Sequence, residues 1–116
     1  MHKDWPRMAD ELSGALRDLR GGAPEVMKAF SGIAQAALKA DALDTRTKEL
    51  VALGIAVAIR CDGCVAFHAE AAVRQGASRA EVLETMGMAV YMGAGPSVMY
   101  AAQALEAFDQ FTAQAR

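Results

Sequence analysis

Apolar residues recur three and four positions apart along most of the chain, and no stretch keeps a two-residue alternation of β-branched side chains. That period predicts helix throughout, and the dominant residues (Ala, Leu, Glu, Lys, Arg, Gln, Met) are good helix formers. Punctuation divides the pattern into about six helices. The first covers roughly Pro6 to Leu19 and ends at Gly21-Gly22. Pro24 suits the first turn of a second, which continues to about Ala40. Asp44 is a good N-cap for a third, reaching about Arg60. Its interior, Leu50 to Ile59, is apolar all round, which predicts a helix surrounded by others. A fourth runs from Asp62 or Gly63 to Gln75 and is stopped by Gly76. Ser78-Arg79-Ala80-Glu81 has the capping-box pattern and opens a fifth, to about Met92. Gly93-Ala94-Gly95-Pro96 predicts a break, and a sixth helix follows from Pro96 to Ala113.

With no internal repeat, linker or low-complexity tail, the expected architecture is one all-α domain over residues 1–116. Short connections favour antiparallel neighbours. The many alanines and Gly32, Gly54 and Gly87 suggest close backbone approach. Met86, Met88, Met92 and Met99 read as gap-filling core or interface.

Composition narrows the partners. A net charge of −2 and a pI near 5.6 carry no polyanion signature, which argues against nucleic acid. Hydrophobic residues make up 53% of the chain, more than a small domain readily hides, so a homo-oligomer is expected. The longest nearly uniform apolar run, Leu50 to Ile59, is half the roughly 20 residues a membrane-spanning helix needs. The start, MHKDWPRMADEL, is polar and lacks a signal-peptide core. A cytoplasmic protein is the expectation, and in a reducing compartment a C-x-x-C pair is more often redox-active or metal-binding than a structural staple.

That pair carries the chemistry. Cys61 and Cys64 are the only cysteines, and His68 follows the second by four residues. At the start of a helix, free N–H groups and the macrodipole favour negative charge, so a thiolate is stabilised there. Three residues of helix bring the two sulfurs within disulfide reach. His68, one turn after Cys64, can take its proton or stabilise its thiolate. Glu49, on the preceding helix, is a candidate to orient the imidazole, directly, through a tilted crossing or through one water; a simple hairpin turning near residue 61 leaves it about 7 Å out of register. Asp62 most simply helps the helix start, and His2 is a terminal residue. Zinc bound by Cys61, Cys64 and His68 is the main chemical alternative, with Glu49, Asp62 or a neighbouring subunit as the fourth ligand. Cofactor-free decarboxylation or isomerisation of a lactone acid, with Glu49 and His68 as acid and base, is another.

Glu49, Cys61, Cys64 and His68 in this register resemble the AhpD-like alkylhydroperoxidase family, which belongs with the carboxymuconolactone decarboxylase superfamily. DALDTRTKELVALGIAVAIRCDGCVAFHAEAAVRQGAS reads like that family's central helices, and YMGAGPSVMYAAQALEAF resembles its C-terminal helix. The similarity covers about residues 25 to 110. It implies an all-α homo-oligomer, commonly a trimer or hexamer, that needs no cofactor. It implies a hydroperoxide substrate and a dithiol electron donor, a lipoyl or thioredoxin-like protein among the candidates. The position of Cys64 would be the peroxide-reactive cysteine, Cys61 would close the disulfide, and His68 with Glu49 would relay protons. The chain departs from better-known AhpD members at Gly63, where they carry a histidine, and in having one helical unit where they have two. The superfamily's decarboxylases lack the cysteine pair.

Overall fold

Side-chain caps start four of the helices in this computed structural model, which describes residues 2–115. Asp4 accepts from the Arg7 N–H and opens α1 (Trp5–Gly22), whose second residue is Pro6. Pro24 opens α2 (Pro24–Leu38) without a side-chain cap. Asp44 accepts from the Thr47 N–H at 2.7 Å and opens α3 (Thr45–Ala58). Cys61 caps α4 (Asp62–Arg74). Ser78 and Glu81 form the expected capping box at the start of α5 (Arg79–Gln114). Among the described residues there is no strand, and no helix is long and apolar enough to cross a membrane.

The core lies between α3, α4 and α5, with α1 laid across α4 and α5. Leu53, Val57, Val65 and Val82 are fully buried there, among many alanines that let the three helices pack closely. Packing against α1 and α3 is all that holds α2, which buries none of its residues. Val26, Phe30 and Ile33 on α2 stand 69%, 60% and 66% exposed.

The polar N-terminal segment is an anchor. Trp5 is fully buried, and hiding a ring of about 200 Å² contributes about 5 kcal/mol. Its indole N–H donates to Glu106 Oε1 at 2.9 Å, and the backbone N–H groups of His2 and Lys3 donate to the same carboxylate at 2.7 and 3.0 Å. Gln110 accepts from the Trp5 N–H and donates to the Lys3 carbonyl. Burial acts to raise the Glu106 carboxyl, but the three donors outweigh it and hold it below its ordinary 4.5.

Several expectations change. The expected fifth and sixth helices meet without a loop as one 36-residue run, α5, broken at Ala94 within the expected Gly93 to Pro96. Ala94 holds φ 54° and ψ −140°, a conformation suited to glycine. A Cβ on the neighbouring Gly93 would come within 2.9 Å of Ser97 Cβ, so the bend leaves no room for a side chain there. The run Leu50 to Ile59 is not enclosed. Leu53, Ala56 and Val57 face the core, whereas Val51, Ile55 and Ile59 are 49%, 54% and 64% exposed. The first helix continues through Gly21-Gly22, and the second stops at Leu38. Of the three glycines expected to ease packing, only Gly54 lies where a Cβ would press on a neighbouring helix, 3.3 Å from Thr85 Cγ2. Met86 is core, while Met88, Met92 and Met99 are exposed.

Two predictions follow from this architecture. Ala94→Gly should stabilise the protein by about 1 kcal/mol in urea denaturation, by relieving a conformation that costs a side-chain-bearing residue of order 1–3 kcal/mol. A destabilised variant would show that the bend is unstrained. Because folding lowers the Glu106 pKa, its contribution is present above the unfolded value and lost as pH falls through the folded one. Fluorescence of Trp5, the sole tryptophan, should report loosening of the N-terminal segment as pH drops from about 5 to about 3, and Glu106→Gln should remove that dependence.

Candidate active site

A tight reversal between α3 and α4 builds the site. Arg60 takes a left-handed conformation, φ 58°. Its N–H donates to the Val57 carbonyl at 3.2 Å, and the Cys61 N–H donates to the Ala56 carbonyl at 3.1 Å. This is a Schellman closure, with arginine where glycine is usual, at about 1 kcal/mol of backbone cost. The chain leaves it extended at Cys61, whose sulfur accepts from the Cys64 N–H at 3.2 Å. Asp62 and Gly63 then open α4. A Cβ on Gly63 would sit 3.0 Å from Leu12 Cδ1, so α1 occupies the space where the resembling family can place a histidine.

Cys61 and Cys64 are joined as a disulfide with a Cα–Cα distance of 5.2 Å, inside the usual range of about 4.4–6.8 Å. One turn beyond Cys64, His68 Nδ1 lies 2.7 Å from Glu49 Oε1. The Glu49 side chain is 6% exposed and the His68 side chain 32%. A carboxylate on Nδ1 fixes the hydrogen there in the neutral ring and leaves Nε2 as the free acceptor. The uncertain step of the sequence argument, whether Glu49 reaches His68, is thus a direct contact within one chain.

A cavity of about 230 Å³ opens over this arrangement, lined by Ala52, Ile55, Ala56, Ile59, Cys64 and His68. Its wall is aliphatic and its chemistry is one sulfur and one imidazole, a lining suited to a small, partly apolar substrate. Cys61 does not line it. A larger groove of about 420 Å³ between α3 and α5, bordered by Val51, Ile55, Met88 and Met92, adjoins it through Ile55.

All four expected residues therefore meet at one corner. Among the described residues no group of three or more His, Cys, Asp and Glu is placed to hold a metal ion, and the sulfurs are bonded to each other. The sequence reading missed the aliphatic wall supplied by Ile55 and Ile59, since it expected that helix to be enclosed. It also missed Lys3, whose Nζ reaches Asp62 Oδ2 at 2.7 Å. A lone tryptophan beside the lysine was the available signal that this segment is fixed.

The family model described as carboxymuconolactone decarboxylase family matches residues 24–107. An uncharacterized protein of Cupriavidus necator is 36% identical over 113 residues, spanning 97% of this chain and 100% of its own length. An apo carboxymuconolactone decarboxylase family protein from Legionella pneumophila superposes with a TM-score of 0.91 at 51% identity, over 93% of this chain and 96% of that one. A protein of the same family from Thermotoga maritima has a TM-score of 0.83 at 24% identity, over 93% and 92% of the two chains, and shares the fold.

Proposed function

The chain belongs to the carboxymuconolactone decarboxylase family, and from that premise we propose that it is a thiol-dependent hydroperoxide reductase of the AhpD-like type, cycling Cys61 and Cys64 between dithiol and disulfide. One observation carries the reading: Cys64 shares its cavity with His68, whose ring is held by the buried Glu49 carboxylate, while Cys61 lies outside it. This supports Cys64 as the nucleophile and Cys61 as its resolving partner. The Thermotoga maritima protein is described as a candidate for an antioxidative response; at 24% identity it lends the fold and not the chemistry.

In the reduced enzyme, Nε2 of His68 takes the Cys64 proton, and Glu49 stabilises the imidazolium. The thiolate attacks the terminal oxygen of the hydroperoxide, the O–O bond breaks, and the leaving alkoxide or hydroxide takes the proton from His68. Cys64 is then a sulfenic acid. Cys61 gives up its proton, its thiolate attacks Cys64 Sγ, the S–O bond breaks, the leaving hydroxide takes up that proton as water, and the disulfide forms. An external dithiol returns two electrons and two protons by exchange and becomes a disulfide itself. The helix N-terminus at Cys61 to Cys64 favours thiolate in each step. No metal or organic cofactor enters the sequence.

Cys64→Ser should abolish turnover of hydroperoxide with a dithiol donor. Cys61→Ser should stop after one turnover with a sulfenic acid trapped at Cys64. His68→Ala and Glu49→Gln should slow turnover by about 10²-fold or more. Continued turnover in Cys64→Ser would refute the thiol mechanism, and activity surviving loss of both cysteines would favour acid–base chemistry on Glu49 and His68 alone.

Homo-oligomer formation is part of the same proposal. The apolar stripe Val26, Phe30 and Ile33 on α2 finds no cover in its own chain, and Ile55, Ile59, Met88 and Met92 expose a second apolar face. Copies that bury one against the other would also roof the Cys64 cavity. Light scattering should give a mass above that of one chain, and Phe30→Glu with Ile33→Glu should reduce it to the monomer. A monomeric parent protein would overturn this part.

A further inference from the structure

Cys61 does not line the Cys64 cavity. Asp62, the next residue, carries a carboxylate that accepts from Lys3 Nζ at 2.7 Å, across 59 positions of sequence. Lys3 is not an ordinary mobile surface lysine. Its N–H is tied to Glu106, its carbonyl to Gln110, and its ammonium lies 5.2 Å from the centroid of the buried Trp5 ring. Docking of the N-terminal segment has already immobilised the backbone that carries this charge, which removes part of the usual entropic penalty of a surface ion pair. Tyr100, from α5, bears on the same carboxylate. The interaction with Lys3 foremost keeps Asp62 below the ordinary carboxylate value, and the interaction with Asp62 raises the Tyr100 phenol. The corner thus holds a carboxylate favoured in its ionised form, one residue from Cys61 in sequence, with a positioned cation on it.

An anion beside Cys61 opposes its ionisation, and a cation on that anion cancels the opposition. We propose that Lys3 is a positioning residue for the Cys61 thiol: by pairing with Asp62 it keeps that thiol acidic and the Cys61–Cys64 disulfide readily reduced. The other charged or titratable groups facing this corner are His2 on the N-terminal segment, Arg60 in the α3–α4 turn, and Tyr100 and Glu106 on α5. Glu49 on α3 and His68 on α4 are engaged with each other on the Cys64 side. Reduction of the disulfide consumes two electrons and two protons, both from the external dithiol. Ionisation of the product thiols draws that equilibrium forward, so raising the Cys61 pKa makes the disulfide harder to reduce. The inference rests on the cysteine pair cycling as proposed above, but its test uses no peroxide.

The experiment is the pH dependence of iodoacetamide alkylation of Cys61, in the full chain carrying Cys64→Ser. Lys3→Met should raise the midpoint by about half a pH unit or more, a roughly threefold loss of thiolate at neutral pH. Lys3→Arg should restore the parent value. Asp62→Asn should lower the midpoint, and Lys3→Met added to it should do little more. In the two-cysteine protein, equilibration with a reference dithiol should show the Lys3→Met disulfide shifted toward the oxidised form. An unmoved midpoint in Lys3→Met, failure of Lys3→Arg to restore it, or an unmoved or raised midpoint in Asp62→Asn would each overturn the proposal, and the last holds even where Lys3→Met fails to fold. Shifts as expected without peroxide turnover would sink the peroxidase reading and leave this one standing; turnover without shifts would do the reverse.

Discussion

Two hydrogen bonds, from the Arg60 and Cys61 amides back to Val57 and Ala56, reverse the chain between α3 and α4 within three residues, and the geometry of the site depends on that reversal. With the helices ending at Ala58 and starting at Asp62, residue 60 is the middle of the turn. Glu49 then lies eleven residues before it and His68 eight after. The mismatch is three residues, about 4.5 Å of helix rise, which a glutamate and a histidine can close together. The same reversal leaves Cys61 extended, so that its sulfur caps α4 and Cys64 falls in the first turn, where backbone N–H groups are free. A longer or looser link would separate the carboxylate from the imidazole and move the sulfurs off the helix start at once.

Local periodicity made some of this legible in sequence and long-range contact made the rest invisible. Cys61, Cys64 and His68 sit three and four residues apart on one helix, a spacing that fixes their common face whatever surrounds them. Glu49 belongs to another helix, and placing the turn one residue later was enough to leave its reach to His68 open. The Gly93 to Pro96 signal marked the right place in α5, but composition does not say whether a break ends a helix or bends it; Ala94 alone leaves helical geometry. The N-terminal anchor joins Trp5 to Glu106 over 101 positions, and such a pairing leaves no periodic trace. Likewise an all-round apolar helix says that both faces avoid water, not which molecule covers each. In α3 the chain itself covers Leu53 and Val57, while Ile55 and Ile59 stay open.

That uncovered aliphatic face borders the reactive sulfur. The side of α3 turned to the core fixes Glu49, and the side turned away supplies Ile55 and Ile59 to the cavity wall. One face of the helix thus holds the fold and the other walls the cavity. The two bonded sulfurs differ in their access to that cavity. Cys64 looks into an apolar cavity with one imidazole, where proton transfer can be coupled to attack. Cys61 lies outside that cavity and precedes Asp62, whose carboxylate is paired with Lys3.

The end of α4 offers a comparison with the turn that precedes it. Gly76, φ 80°, closes α4 with its N–H on the Val73 carbonyl and the Ala77 N–H on the Ala72 carbonyl, the same pair of bonds that closes α3. Glycine adopts that conformation at little cost, whereas arginine at the corresponding position of α3 gives up about 1 kcal/mol. What differs is the residue that follows: an alanine after Gly76, a redox cysteine after Arg60. The field of the Arg60 cation is felt at Tyr100, where it acts to lower the phenol against the stronger influence of Asp62. Arg60 and Lys3 thus bring two cations to a corner that holds two carboxylates, Asp62 and Glu106. The residue that strains the turn therefore also brings a cation to the corner that holds the Asp62 carboxylate.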